Sequence, residues 1–243
     1  MISVIIPVYN EEKRIPRTLD GLFSFLKTNG IEAEVILVND GSSDNTVKCL
    51  KTVTLSNLKI INFAKNKGKG AAVREGALSA IGEIIIFMDA DGSTRLEHIT
   101  EVINFLNTGY DVAIGSRELK ESKIIKKQSS FRELLGKTFS IMVKTIGLSH
   151  ITDTQCGFKG FKKEAAKEIF EISKINRFAF DVEILYIANK LGCKIKEIPV
   201  KWENDENSKV DLKNIIIMFF DIIKIRFNLS TNKYGKKNSK RIS

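Results

Sequence analysis

The stretch Ile84-Ile85-Ile86-Phe87-Met88-Asp89-Ala90-Asp91-Gly92 sets five apolar residues in a row and closes them with two carboxylates one residue apart. A run with no polar alternation reads as a strand covered on both faces, as in a parallel sheet flanked by helices. With Glu83 included, it is the fourth such run: Ser3–Tyr9, Ala33–Asn39 and Leu58–Phe63 precede it, and Asp111–Ser116 follows. Helical spacing fills the intervals at Glu11–Thr28, Asp44–Thr52, Gly70–Ala80 and Leu96–Leu106, with Asp44 and Thr94 placed near helix starts. Strand and helix therefore alternate, which predicts an α/β fold with a mostly parallel central sheet. Further on, Phe131–Ile146 and Ala179–Leu191 read as helices and Lys194–Trp202 as a strand. No linker rich in Pro, Gly or Ser divides the chain, so residues 1–209 are expected to form one domain.

The ends carry a different message. The 243 residues hold 39 Lys and Arg against 29 Asp and Glu, a formal charge of +10. Seven basic residues and no acidic ones lie between Ile222 and Ser243. Before them, residues 210–229 read as a C-terminal amphipathic helix. Lys213, Asn214, Asp221, Lys224 and Asn228 share one narrow face, into which Ile217 intrudes, and the rest of the circumference is almost all apolar. Such a helix, followed by a basic, disordered tail over residues 230–243, suits an anionic membrane surface. A core helix with a solubilising tail is the alternative. A nucleic-acid partner is not expected, because the tail has one aromatic, Tyr234, and no reader module. Ile2–Val8 follows Met1 without a basic leader and contains Pro7, so it reads as a first strand and not a signal peptide. No stretch reaches the roughly 20 apolar residues of a spanning helix. The expectation is a cytoplasmic protein attached peripherally to the inner face of the membrane. Three scattered cysteines make no disulfide framework or metal pair, and two distant histidines make no zinc site. His98 and His150 read as surface or capping residues, Cys156 and Cys193 as core.

Ligands of open α/β sheets sit beyond the carboxyl ends of the strands. The residues there form a coherent set: Tyr9-Asn10-Glu11, Asn39-Asp40-Gly41-Ser42, Asp89-Ala90-Asp91 and Gly115-Ser116-Arg117. Asp89 and Asp91 can converge on one hard cation, Mg²⁺ or Mn²⁺, whose shell phosphate oxygens and water would complete. Asp40 can accept from a base or ribose, or can form an Asx turn. Lys65-Asn66-Lys67-Gly68-Lys69-Gly70 is basic, glycine-rich and opens a helix, which suits an anion. Arg117 and Arg132 are candidate phosphate partners, because a guanidinium offers two parallel hydrogen bonds. Asp153, Asp181 and Glu183 add carboxylates, the last two amid apolar residues, where carboxylates are rare unless paired or functional.

In this order, the motifs resemble the family 2 glycosyltransferases, which carry a nucleotide-sugar-binding GT-A fold. The resemblance runs through Val4-Ile5-Ile6-Pro7-Val8-Tyr9-Asn10-Glu11, Asn39-Asp40-Gly41-Ser42-Ser43-Asp44, Asn66 to Gly76 and Asp89-Ala90-Asp91. Asp153 to Lys159, Arg177 to Ala188, Glu197 to Trp202 and Ser208-Lys209-Val210 narrow it to the branch that glucosylates dolichyl phosphate. The resemblance implies that Pro7, Tyr9, Glu11 and Asp40 hold the uridine of a UDP-sugar donor. It implies that Asp91, helped by Asp89, holds the metal on the diphosphate, and that Arg117 and Arg132 face the acceptor phosphate. The implied reaction moves glucose from UDP-glucose to a polyprenyl (dolichyl-type) phosphate with inversion at the anomeric carbon. A polyprenyl-phosphate mannosyltransferase, or another family 2 enzyme with a different donor or acceptor, is the alternative. Lys69 would add to the field at the leaving diphosphate. The acceptor is a phosphate monoester with a second pKa of about 6, already mostly dianionic at neutral pH. Asp153 is therefore a general base, the group that orients Arg117 or Arg132, or a support for the sugar, and Asp181 and Glu183 are candidates for the sugar hydroxyls.

Overall fold

β1 (Ile2–Val8), β2 (Ala33–Asn39), β3 (Leu58–Asn62), β4 (Ile84–Met88), β5 (Val112–Ser116), β7 (Phe158–Lys162) and β8 (Ile195–Pro199) form a seven-stranded sheet in the order β3-β2-β1-β4-β7-β5-β8. A second sheet pairs β6 (Lys123–Lys126) with β9 (Lys201–Glu203). The structure is a computed structural model and describes residues 1–51, 57–126, 143, 147–203 and 212–235. All main-sheet pairings are parallel except those of β7, which runs antiparallel between β4 and β5.

The apolar strands are covered on both faces, as their lack of alternation predicts. Val4, Ile6, Val35, Leu37, Ile86 and Phe158 face α1 (Ile15–Thr28) and α4 (His98–Asn107). Ile5, Ile36, Val38, Phe87 and Phe161 face α3 (Lys69–Ser79), α5 (Lys163–Ile172), α6 (Phe180–Lys190) and α7 (Leu212–Ser230). Each buried aliphatic or Phe contributes about 1.5–3 kcal/mol, so these two layers dominate stability. A short helix, α2 (Thr46–Lys51), starts after Asp44, whose carboxylate accepts from the Thr46 amide as an N-terminal cap does.

Several expectations change. The first helix begins at Ile15 and not Glu11, with Pro16 in its first turn. Thr94 caps no helix: it bridges to Trp202, and α4 starts at His98. His98 is 3% exposed and not a surface residue; its Nε2 accepts from the Lys201 amide at 3.0 Å. The strand expected over Lys194–Trp202 divides because Pro199 lacks an N–H and Val200 bonds back to Ser116. Its second piece joins β6. Phe131–Ile146, with Arg132, lies outside the described residues apart from Val143.

The C-terminal helix is present, but it faces the other way from the expected polar stripe. Met218, Ile222 and Ile225 enter the core, and Asn228 is buried beside them. Asp221 is half-buried. Ile216, Phe219, Phe220, Ile223 and Phe227 stand 46–63% exposed on the opposite side. The reason lies past the helix. Tyr234 is 1% exposed, its hydroxyl donates to Glu183 at 2.6 Å, and it accepts from Asn228 at 3.1 Å. Tyr234 thus packs onto the domain, and residues 230–235 end the helix in an ordered turn and are not the start of the expected disordered tail. Glu183 also accepts from the Lys174 and Ile175 amides, so it ties the C-terminus down and is committed away from any sugar.

Candidate active site

The carboxyl ends of β1, β2, β4 and β5 converge, and each carries polar groups. At the end of β1, Asn10 takes a left-handed φ of 54°. Its amide donates to Ser42 Oγ and its Oδ1 accepts from the Ser43 amide, which ties the first two strand ends together. Pro7 pairs with Val38 within the sheet. Tyr9 is 38% exposed at the rim. Glu11 is buried, with its carboxylate on Arg14 at 2.5 and 2.6 Å.

Asp40, 3% exposed, accepts from the Lys67 amide at 2.6 Å and the Gly68 amide at 2.9 Å. Burial pushes its carboxyl up, and the two amides together with the charges of Lys67 and Arg177 oppose that. Asp40 therefore shapes the basic loop before α3. Gly68 has a φ of 105°, and a Cβ there would meet the Asn176 carbonyl at 2.3 Å, so only glycine fits.

The loop delivers Lys69 to Asp89, with Nζ 2.6 Å from Oδ1. Burial pulls against the ammonium, but Asp89 and Asp181 more than offset it and raise its pKa. The Asp89 amide donates to the Gly157 carbonyl at 3.0 Å. A Cβ on Gly157 would lie 1.9 Å from Asp89 Oδ2, so glycine is required for that carboxylate to sit where it does. Two residues on, Asp91 Oδ1 accepts from the Ser93 amide at 2.9 Å. Burial and the neighbouring Asp89 push the Asp91 carboxyl up.

Two further ion pairs complete the cluster. Arg117, from the end of β5, holds Asp153 through Nε at 2.7 Å and Nη2 at 2.9 Å, and its backbone amide adds a bond at 2.9 Å. The guanidinium also lies over Trp202, 5.4 Å from the ring centre. Glu197 fixes the turn by accepting from the Thr152 and Asp153 amides. Lys159, in β7, reaches Asp181 at 2.5 Å and the Cys156 carbonyl at 2.6 Å. Cys156 packs among these charges, and burial pushes its thiol up to about 12.

The structure brings Lys69, Asp89, Asp91, Arg117, Asp153 and Asp181 into one cluster and leaves Pro7, Tyr9, Glu11 and Asp40 beside it at the β1–β2 end. Lys159 is the member that sequence reasoning missed. Its only signal was its place two residues past Gly157, in a segment too short and too interrupted to read as a strand.

Asp89, Asp153 and Asp181 each have a cation within 3 Å, and Asp91 has none among the described residues. No cluster of three or more His, Cys, Asp or Glu suited to a metal exists among the described residues. Two carboxylates, one of them without a cation, fit a divalent ion that takes most of its shell from a diphosphate and water.

Asp153 also sets an acid limit. Burial alone would raise its carboxyl, but Arg117 outweighs burial and holds it below its ordinary value of 3.8. A carboxylate depressed on folding contributes stability above its unfolded pKa and loses it as pH falls through the folded one. Melting temperatures are therefore expected to drop below about pH 4, and Asp153→Asn to lower the neutral plateau while flattening that drop. A series of melts between neutral and strongly acidic pH checks this; an equally steep acid limb in the variant places its source elsewhere.

Comparison with known proteins bears on this site. The chain is 38% identical over 241 residues to a dolichyl-phosphate beta-glucosyltransferase of Dictyostelium discoideum, covering 93% of this chain and 74% of that one. It is 37% identical over 259 residues to the Homo sapiens protein of the same name, covering 100% and 80%. Among solved structures, glucosyl-3-phosphoglycerate synthase from Mycobacterium tuberculosis, in complex with Mn²⁺, UDP and glucosyl-3-phosphoglycerate, superposes with a TM-score of 0.68 at 18% identity, over 98% of this chain and 81% of that one. Mannosyl-3-phosphoglycerate synthase from Rubrobacter xylanophilus superposes with a TM-score of 0.71 at 13% identity, over 100% and 78%. Those two share the fold. The profile of glycosyl transferase family 2 matches residues 3–170, which include the ends of β1, β2, β4 and β5, and the chain belongs to that family.

Proposed function

We propose that the protein transfers glucose from UDP-glucose to a polyprenyl phosphate of dolichyl type, inverting the anomeric carbon, at the cytoplasmic face of a membrane. The observation that carries this reading is the charge cluster at the sheet's carboxyl end. It has one carboxylate, Asp91, with no cation among the described residues, and one arginine, Arg117, held rigidly by Asp153. The relatives named dolichyl-phosphate beta-glucosyltransferase support the choice of sugar and acceptor.

Asp91, with Asp89, would hold Mg²⁺ or Mn²⁺. When bound, the ion supplies Lewis-acid neutralisation of the charge that grows on the leaving diphosphate. Lys69 contributes a fixed positive charge at the same end. Pro7, Tyr9, Glu11 and Asp40 flank the uridine, with Asp40 acting through the loop it holds. Arg117 spends one Nε and one Nη2 hydrogen on Asp153 and keeps three for the acceptor phosphate. Arg132 joins it in this reading. Asp153 accepts from Arg117 three times and from the Gln155 amide, and so serves as the orienting group. The phosphate needs no strong base, because it is already dianionic.

The acceptor lies in a bilayer, and the exposed face of α7 offers a way to reach it. Ile216, Phe220, Ile223 and Phe227 project from one side, and the exposed Lys224, Arg226 and Lys233 lie on the same C-terminal element. Apolar side chains inserted between basic ones suit an anionic leaflet. No helix among the described residues is long and apolar enough to cross a membrane. Phe220→Glu/Phe227→Glu is expected to weaken binding to phosphatidylserine-containing liposomes by about tenfold or more, with an unchanged melting temperature. Equal binding removes the docking face. Deleting residues 228–243 is a poor probe, because it takes Asn228 and Tyr234 out of the core.

The reaction is tested by supplying a short polyprenyl phosphate, Mg²⁺ or Mn²⁺, and separately labelled UDP-glucose, GDP-mannose and UDP-N-acetylglucosamine. Label entering lipid from UDP-glucose alone is the expected result. Label from GDP-mannose keeps the site and changes the sugar. No lipid label from any donor, with the protein folded, overturns the acceptor.

A further inference from the structure

Lys159 is fully enclosed at 0% exposure, the second residue of the antiparallel strand β7. A buried ammonium is costly unless paired, and the proposed chemistry gives this one no contact with donor or acceptor. Its partners show what it does. One is Asp181, in the first turn of α6. The other is the Cys156 carbonyl, three residues after Asp153, which holds Arg117, and next to Gly157, which backs Asp89. Lys159 thus pins both the segment behind Asp89 and the buried carboxylate whose charge reaches Lys69.

We propose that Lys159 and Asp181 are positioning residues for the metal–diphosphate end of the site, acting on Asp89 through Gly157 and Lys69. The proposal rests on the functional reading above. Lys69 Nζ sits on Asp89 at 2.6 Å and also feels the charge of Asp181. Removing that charge leaves Lys69 more fully to Asp89 and cuts the negative charge that Asp89 offers a cation. Burial pushes the Asp181 carboxyl up and Lys159 opposes it, while the bond from Lys159 to the Cys156 carbonyl holds the neighbouring Gly157 against Asp89.

Two variants separate positioning from mere stability. Asp181→Asn keeps the side-chain shape and an acceptor for Lys159 but drops the charge. Lys159→Met/Asp181→Leu removes both charges together, a replacement that buried pairs often tolerate. The probe is Mn²⁺ in the presence of UDP, read from the resonance signal of free Mn²⁺, with thermal unfolding of the same samples. The expected result is folded protein that binds Mn²⁺ about tenfold or more weakly, with kcat reduced and KM for the polyprenyl phosphate unchanged. Folded variants that hold Mn²⁺ as the unaltered protein does would overturn the proposal. If the double variant does not fold, Asp181→Asn decides alone. Failure of the unaltered protein to bind Mn²⁺ with UDP sinks the functional reading and this inference together, whereas failure of the variants to differ sinks only the inference.

Discussion

Asp91→Ala is expected to lower turnover by about a thousandfold or more and to raise the melting temperature of the metal-free protein. The two effects share one origin. Asp91 is the carboxylate of the cluster with no cation among the described residues, and burial and Asp89 both oppose its charge. Losing a divalent ion from the leaving diphosphate removes several kcal/mol of transition-state stabilisation, and about 4 kcal/mol is a thousandfold in rate. Losing an uncompensated carboxylate relieves the folded state by about 1 kcal/mol, or roughly 2–4 °C for a chain of this size. Mn²⁺ with UDP should then raise the melting temperature of the unaltered protein and leave that of the variant where it is. Label transfer and thermal unfolding measure both arms. Unchanged turnover would remove Asp91 from the chemistry, and a lowered melting temperature would show that its bond from the Ser93 amide outweighs the cost of its burial.

Arg117→Ala is expected to destabilise the protein by about 3–5 kcal/mol. The Asp153 side chain is only 4% exposed, and its cation is Arg117. Removing that cation strands a buried charge, which costs more than the pair contributes. At roughly 2–4 °C per kcal/mol, the melting temperature should fall by about 10 °C. Arg117→Lys should fall less, because it keeps the charge, but it loses the two-point geometry that sets the plane of the guanidinium. Arg117→Ala/Asp153→Leu should recover most of the stability and none of the activity. That contrast distinguishes a stranded carboxylate from a general loss of packing. A single variant melting within a few degrees of the unaltered protein would refute the account.

Much of this was legible in the chain. The continuous apolar runs of β1, β2 and β4, and the carboxylates that close them, are local signals, and the parallel sheet and the polar rim follow from them. What stayed hidden depends on partners far away in sequence. In β7 the pattern Phe158-Lys159-Gly160-Phe161-Lys162 puts a lysine where a strand in mid-sheet wants an apolar residue. It is acceptable only because Asp181, 22 residues later, neutralises it. Helical spacing located α7 but not its orientation. A wheel weighs polarity and cannot tell that Tyr234 and Glu183 give Asn228 a buried partner, which turns the phenylalanines outward. Asp40 was legible as a site residue, but its inward use on two amides was not, since Asx turns and ligand contacts draw on the same residue type.

The antiparallel seat of β7 also governs how the chain must be made. β4 and β5 are complete by Ser116, yet they never pair with each other; each waits for β7, which begins at Phe158. During synthesis the first half therefore presents bare strand edges, rich in isoleucine on β4, until β7 emerges some forty residues later, and the far edge of β5 stays open until β8. Open edges of this kind template intermolecular pairing. A fragment ending before Phe158 should aggregate instead of folding into a smaller nucleotide-binding unit. In the cell, the interval between β5 and β7 is the window in which this chain most needs a chaperone.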